Sequence, residues 1–249
     1  MAWVLDLDGV VWLAAEAVPG ASEAVARLRR AGEQVLFVTN NSSQRLADQE
    51  AKLDAMGIAA EGDVVTSAMA AARLVEPGER ALVCGGPGVR EALTVRGAVP
   101  VDGGDAEVVV VGLHTDFTYD RMRIAATAVR RGARLIATND DATYPTPTGL
   151  IPGNGAILAS IVVASGAEPE IAGKPHLPMA ELIREQAGDH GIVVGDRPDT
   201  DGLFARRMGF RFGLVLTGVT TEAHLPVEPA PDEVAPDLLS LVDRLLSQR

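Results

Sequence analysis

Short apolar runs alternate with amphipathic stretches along the whole chain. Ala2–Leu7, Gln34–Thr39, Arg80–Cys84, Glu107–Gly112, Arg134–Thr138, Gly191–Gly195 and Phe212–Thr217 are rich in Val, Ile and Leu and bounded by Gly, Asp or Asn. That is the pattern of strands buried on both faces. Between them, Ser22–Ala31, Gln44–Met56, Tyr119–Arg131, Gly155–Ser165, Leu177–Ala187 and Asp201–Met208 place apolar residues three to four apart, and several stop at a glycine such as Gly32 or Gly57. The apolar stretch Ala156–Ala164 predicts a buried helix. The Pro-rich segment Leu225–Pro236 predicts a loop into a last helix, Asp237–Leu246. Strand–helix alternation of this kind predicts an α/β fold, a mostly parallel sheet covered on both faces. Ligands of such sheets sit at the carboxyl ends of the strands, so the polar residues there come first.

Asp6-Leu7-Asp8-Gly9 follows the first apolar run. Alternation along a strand puts Asp6 and Asp8 on one side, where two like charges raise a pKa unless a cation or catalysis uses them. A solvated loop or a helix cap is the alternative for such a pair taken alone. A second acidic cluster, Asp196, Asp199 and Asp201, follows the run Gly191–Gly195. Its oxygens suit a hard cation, and its position before Gly202–Met208 equally suits a helix cap. Two clusters at strand ends far apart in sequence favour one shared Mg²⁺ site. Thr39-Asn40-Asn41-Ser42 ends one strand and opens a helix, a natural anion site. Lys174, just before the helix Leu177–Ala187, opposes that helix's dipole unless it faces an anion, solvent exposure being the other reading.

Composition narrows the picture. With 249 residues the chain has one or two domains. It is 47% hydrophobic but only 4% aromatic, so the core is built from Ala, Val, Leu and Ile. Twenty-two basic against 34 acidic residues give a net charge of −12. That argues against a nucleic-acid or anionic-membrane partner, which calls for surplus Lys and Arg, and fits a solvated acidic surface; a small anionic substrate met by local positive groups is still allowed. The single cysteine, Cys84, permits no intrachain disulfide. With an N-terminus that meets an acid at Asp6 and no apolar run of membrane-spanning length, it predicts a cytoplasmic protein. Gly85-Gly86-Pro87-Gly88 lacks the spacing of a dinucleotide loop, and the four histidines share no metal-ligand spacing.

In order along the chain, Asp6-Leu7-Asp8-Gly9-Val10, Thr39-Asn40-Asn41-Ser42, Gly173-Lys174-Pro175 and Val194-Gly195-Asp196…Thr200-Asp201 resemble the motifs of the haloacid dehalogenase superfamily. The resemblance is to its subfamily IIA, the group of 4-nitrophenyl-phosphatase, pyridoxal phosphatase, phosphoglycolate phosphatase and NagD-like proteins. Ala137-Thr138-Asn139-Asp140-Asp141, Pro152-Gly153-Asn154-Gly155 and Leu216-Thr217-Gly218-Val219 are similar to further stretches of that group. The resemblance implies a doubly wound core, residues 1–79 and 171–249, with an inserted α/β cap of the C2 type at 80–170.

The same resemblance implies a Mg²⁺-dependent phosphatase of small phosphorylated metabolites. Asp6 would be the nucleophile, forming an aspartyl phosphate, and Asp8 the general acid and then base. Asp6, Asp196 and the backbone carbonyl of Asp8 would hold the metal, with Asp201 ordering its waters. Thr39, Asn40 and Lys174 would bind the phosphoryl oxygens. Asn139, Asp141 and Tyr144 of the cap would face the substrate. Asp199 has no implied role beyond capping. Caps of this type can also form homodimers. Two rivals differ in class: a dehalogenase-like hydrolase, which Asp8 and Asp196 argue against, and a catalytically silent binding or regulatory relative, which four filled motifs argue against.

Overall fold

The computed structural model describes residues 1–14, 16–146 and 149–248. It divides into two compact units, one of Met1–Thr39, Gln49–Val65 and Lys174–Arg249, the other of Asn40–Asp48 and Thr66–Gly173. The second unit thus begins earlier than the 80–170 insert expected from sequence, and it takes in the short segment after Thr39.

The first unit is built on a six-stranded sheet. Its order is Glu233–Ala235, Arg211–Val215, Gly191–Gly195, Ala2–Asp6, Gln34–Thr39, Val64–Thr66. Ala2–Asp6 is wholly buried and pairs in parallel on both sides, Leu5 opposite Val194 and Phe37. From it the chain winds outward in one direction through Gln34–Thr39 and in the other through Gly191–Gly195. The two strands that carry the acidic motifs therefore flank the point where the winding reverses, the place where open α/β sheets form their ligand crevice.

Helices Ala21–Arg30 and Leu238–Ser247 pack together in this unit. Ala21, Ala24, Val25 and Leu28 face inward from the first, and Leu238, Leu241, Val242 and Leu245 from the second, at the three-to-four spacing an amphipathic helix requires. Complete burial of a leucine such as Leu28 stabilises by about 1.5–3 kcal/mol. Asp237 caps the last helix by accepting the Ser240 N–H at 2.7 Å. The loop before it contains one further strand, Glu233–Ala235, too short to register in a hydrophobic pattern.

The second unit has a five-stranded parallel sheet ordered Glu170–Ile171, Arg134–Ala137, Val108–Val111, Arg80–Cys84, Val99–Val101. It also has an antiparallel hairpin, Thr143–Thr146 with Gly149–Pro152. Helix Asn154–Ser165 is not buried all round as its composition suggested. Ile157, Leu158 and Ile161 enter the core, whereas Val163 is 86% exposed. Cys84 is buried in this core, and burial pushes its thiol up to about 12.

Gly85-Gly86-Pro87-Gly88 finds a purely steric explanation. Pro87 is the first residue of helix Pro87–Arg96, where its missing N–H costs nothing. A Cβ on Gly86 would lie 2.5 Å from the Ser43 carbonyl oxygen, and one on Gly88 would strike the Gln44 carbonyl oxygen. The glycines admit the Ser43–Gln44 backbone. Among the described residues no helix is long and apolar enough to cross a membrane.

Candidate active site

Asp6 is the last residue of its strand, and Asp196 follows the last residue of the neighbouring strand Gly191–Gly195. Asp201 lies in a π-type turn, Pro198–Gly202, that leads into helix Leu203–Met208. One carboxylate oxygen from each of Asp6, Asp196 and Asp201 lies within 4.8 Å of the other two. All three residues are buried. The two acidic clusters of the sequence converge, brought together by the parallel pairing of their strands.

Lys174 sits among these carboxylates. It is 3% exposed, and its Nζ donates to Asp6 Oδ1 at 2.7 Å and to Asp201 Oδ1 at 2.6 Å. Solvent exposure is thereby ruled out, and the anions that explain a lysine ahead of a helix are the acids themselves. Burial opposes its charge, but Asp201 and Asp6 outweigh that and hold the ammonium above its ordinary value. Asp201 Oδ2 also accepts the Arg197 N–H at 3.1 Å.

Burial pushes the Asp6 carboxyl well above its ordinary value. Lys174 pulls against this, and Asp201, Asp196 and Asp8 push further in the same direction. Asp196 is raised to about 7, first by burial and then by Asp201. Its Oδ2 accepts the Val219 N–H, whereas its Oδ1 is buried without a hydrogen-bond partner. An orphaned carboxylate oxygen in a ring of acids has the chemistry of a hard-cation ligand, and Mg²⁺ or Ca²⁺ fits this oxygen-only set.

Three glycines make room for the cluster. Gly9, at φ +83°, would place a Cβ 2.6 Å from Asp196 Cγ, and a Cβ on Gly218 or Gly195 would strike the carboxylate of Asp196 or Asp201. The stretch Leu216-Thr217-Gly218-Val219, whose sequence implies no role, supplies the Val219 N–H, and its Thr217 hydroxyl donates to the Gly9 carbonyl.

Asp8 differs from its sequence reading. The strand stops at Asp6, and Val11 and Trp12 turn their N–H groups back onto the Leu7 carbonyl at 2.9 and 3.1 Å. Strand alternation therefore does not govern Asp8. Its carboxylate is outside the three-acid set and accepts the indole N–H of Trp12 at 3.0 Å. Asp199 caps nothing; it pairs with Arg197 at 3.1 Å.

Thr39 ends its strand, buried, in the first unit. The other candidates belong to the second unit and meet one another there. Asn40 donates through Nδ2 to Asp141 at 3.0 Å, Asn139 donates to the Asn40 carbonyl at 2.7 Å, and Asn41 donates to the Tyr144 hydroxyl at 3.1 Å. The Asn139 side-chain oxygen accepts the Asp141 N–H at 3.2 Å. The chain passes from one unit to the other at Thr39–Asn40 and again at Gly173–Lys174, so two of the sequence motifs straddle the division.

Residues 3–98 match the family described as haloacid dehalogenase-like hydrolase, and residues 171–241 match the related family described as HAD-hydrolase-like. An acid sugar phosphatase from Staphylococcus saprophyticus is 36% identical over 241 residues, spanning 92% of each chain. The structure is similar to that of a p-nitrophenyl phosphatase from Archaeoglobus fulgidus, with a TM-score of 0.92, 31% identity and 98% of each chain covered. It is also similar to a glycerol phosphate phosphatase from Mycobacterium tuberculosis solved in complex with magnesium. The TM-score there is 0.88 at 35% identity, over 96% of this chain and 76% of that one.

Proposed function

The chain belongs to the haloacid dehalogenase-like hydrolases, and from that premise we propose that it is a Mg²⁺-dependent phosphatase of small phosphomonoester metabolites. The observation that carries this reading is the buried ring of Asp6, Asp196 and Asp201 closed by Lys174. Sugar and polyol phosphates are the substrate class in keeping with the names of its relatives.

Asp6 attacks phosphorus through a carboxylate oxygen. The bond from phosphorus to the ester oxygen breaks, and Asp8 gives its proton to the departing alcohol. Asp8 then takes a proton from water, whose oxygen attacks the phosphorus of the aspartyl phosphate. The bond to Asp6 breaks, and inorganic phosphate and a free carboxylate result. Lys174 pulls the Asp6 carboxyl back toward its ionised form against burial, and would face the phosphoryl oxygens together with Thr39 and Asn40. Asp6, Asp196 and the Asp8 carbonyl would hold Mg²⁺, with Asp201 beside them; the ion supplies positive charge that offsets the phosphate dianion among these acids. The second unit, with Asn139, Asp141 and Tyr144, acts as the cap that selects the alcohol.

The test is release of p-nitrophenolate from p-nitrophenyl phosphate by the purified chain. Activity in Mg²⁺ that disappears in EDTA and returns on adding Mg²⁺ back supports the reading. Equal rates in EDTA and Mg²⁺, or no hydrolysis of any phosphomonoester in a broad panel, overturn it.

A further inference from the structure

Beyond the strand end, Asp8 sits in a tight turn. Val11 and Trp12 bond back to Leu7, and Gly9 donates its N–H to the Trp12 carbonyl at 2.6 Å. Asp8 and Trp12 form an isolated bridge across this turn. A carboxylate on such a turn has several staggered side-chain positions open to it. The Trp12 indole N–H narrows the choice, reaching Asp8 Oδ1 at 3.0 Å.

The indole itself is tightly held. Trp12 is 2% exposed and pairs with Ala17 in a two-stranded hairpin. Lys52, from helix Leu46–Ala55, places its Nζ 3.7 Å from the centre of the Trp12 ring and donates to the Ala14 carbonyl at 2.9 Å. A cation over an indole face is attracted to it, and the bond to Ala14 ties the same lysine to the hairpin that carries the ring. The buried indole, with the half-buried Lys52 against its face, has one polar atom, and that atom points at the Asp8 carboxylate.

We propose that Trp12, braced by Lys52, is a positioning residue that aims the Asp8 carboxyl at the leaving-group oxygen. The proposal rests on Asp8 acting as the general acid. A buried indole N–H needs some acceptor in any case, so a useful test must separate aiming from mere packing. Leaving-group chemistry does so. p-Nitrophenolate departs readily without a proton, whereas phenolate, from a substrate of nearly the same shape, depends more on the acid.

The experiment compares kcat/KM of wild type and Trp12→Phe, in Mg²⁺, on phenyl phosphate and p-nitrophenyl phosphate. Trp12→Phe keeps a ring beneath Lys52 and removes only the N–H and part of the ring volume. General-acid catalysis is worth about 10²- to 10⁴-fold, and misaiming forfeits part of it. The expected loss is about tenfold or more on phenyl phosphate and under about threefold on p-nitrophenyl phosphate, with KM nearly unchanged. Equal losses on both substrates, or no loss on either, overturn the proposal. Should Trp12→Phe fail to fold, Lys52→Met carries the same comparison together with the pH profile of kcat/KM, because it leaves the indole and removes its brace but also removes a charge that interacts with Asp8. A ratio shifted against phenyl phosphate with the alkaline limb of the profile unmoved supports the proposal, and an unchanged ratio, or one that shifts only with that limb, overturns it. Failure of the phosphatase reading itself shows separately, as wild type without activity on either substrate.

Discussion

Without metal, this protein is expected to become more stable on mild acidification, the reverse of ordinary acid denaturation. The cause lies in Asp196, whose carboxyl rises from 3.8 to about 7 on burial beside Asp201. Between those two values the folded chain holds a proton that the unfolded chain has released. Stability therefore falls as pH rises, by about 1.4 kcal/mol per pH unit, and levels off above pH 7. From pH 7, where the group is half protonated, down to pH 5 the gain is about 2 kcal/mol. For a chain of this length that corresponds to roughly 4–8 °C in Tm. Asp6, also raised, adds in the same direction. Carboxyls held low by arginines, such as Glu23 beside Arg27, contribute stability that is lost only at more acidic pH, as it falls through their folded values. Mg²⁺ needs the ionised acids, so at 100 times its Kd it adds about 2.7 kcal/mol at pH 8 and much less at pH 5, flattening the profile. The assay is thermal denaturation at pH 5, 6, 7 and 8 in EDTA and in excess Mg²⁺, with Asp196→Asn as control. A metal-free Tm that is flat or falls between pH 8 and pH 5, or a slope that is undiminished in Asp196→Asn, refutes the reasoning.

Other outcomes follow from the same structure. Lys174→Met strips the cation from three buried carboxylates. It should cost about 3–5 kcal/mol in EDTA at pH 8, with most of the loss recovered at pH 5 as the acids protonate; equal losses at both pH values, by urea denaturation, contradict it. Gly88→Ala drives a Cβ into the Gln44 carbonyl. It should lower stability by at least about 1–3 kcal/mol, with Mg²⁺ affinity at the Asp6 cluster largely kept; a neutral effect on Tm contradicts the steric account of that glycine run.

What the sequence disclosed follows from how each feature is encoded. Strands such as Ala2–Asp6 and Val108–Val111 are buried on both faces, so their residues form unbroken apolar runs that can be read directly. Edge strands have no such need. Val99–Val101 contains Pro100, and Glu170–Ile171 is two residues long, so neither leaves a pattern. Helix Pro87–Arg96 was hidden because its glycine-rich start serves a backbone approach from Ser43–Gln44, which no local rule encodes.

At the candidate site the acids were visible because strand ends converge by topology. The partners were not. The bonds of Asn40 to Asp141 and of Lys174 to Asp6 span 101 and 168 residues of sequence. Trp12 drew no notice, since a tryptophan four residues after Asp8 looks like core until its N–H is seen to have an acceptor.

The central claim, that Asp6 is the nucleophile, is tested most directly by kcat/KM of Asp6→Asn on p-nitrophenyl phosphate at saturating Mg²⁺, with folding checked by circular dichroism. The account predicts a fall of at least about 10³-fold in a folded protein. A folded Asp6→Asn within tenfold of wild type would contradict it.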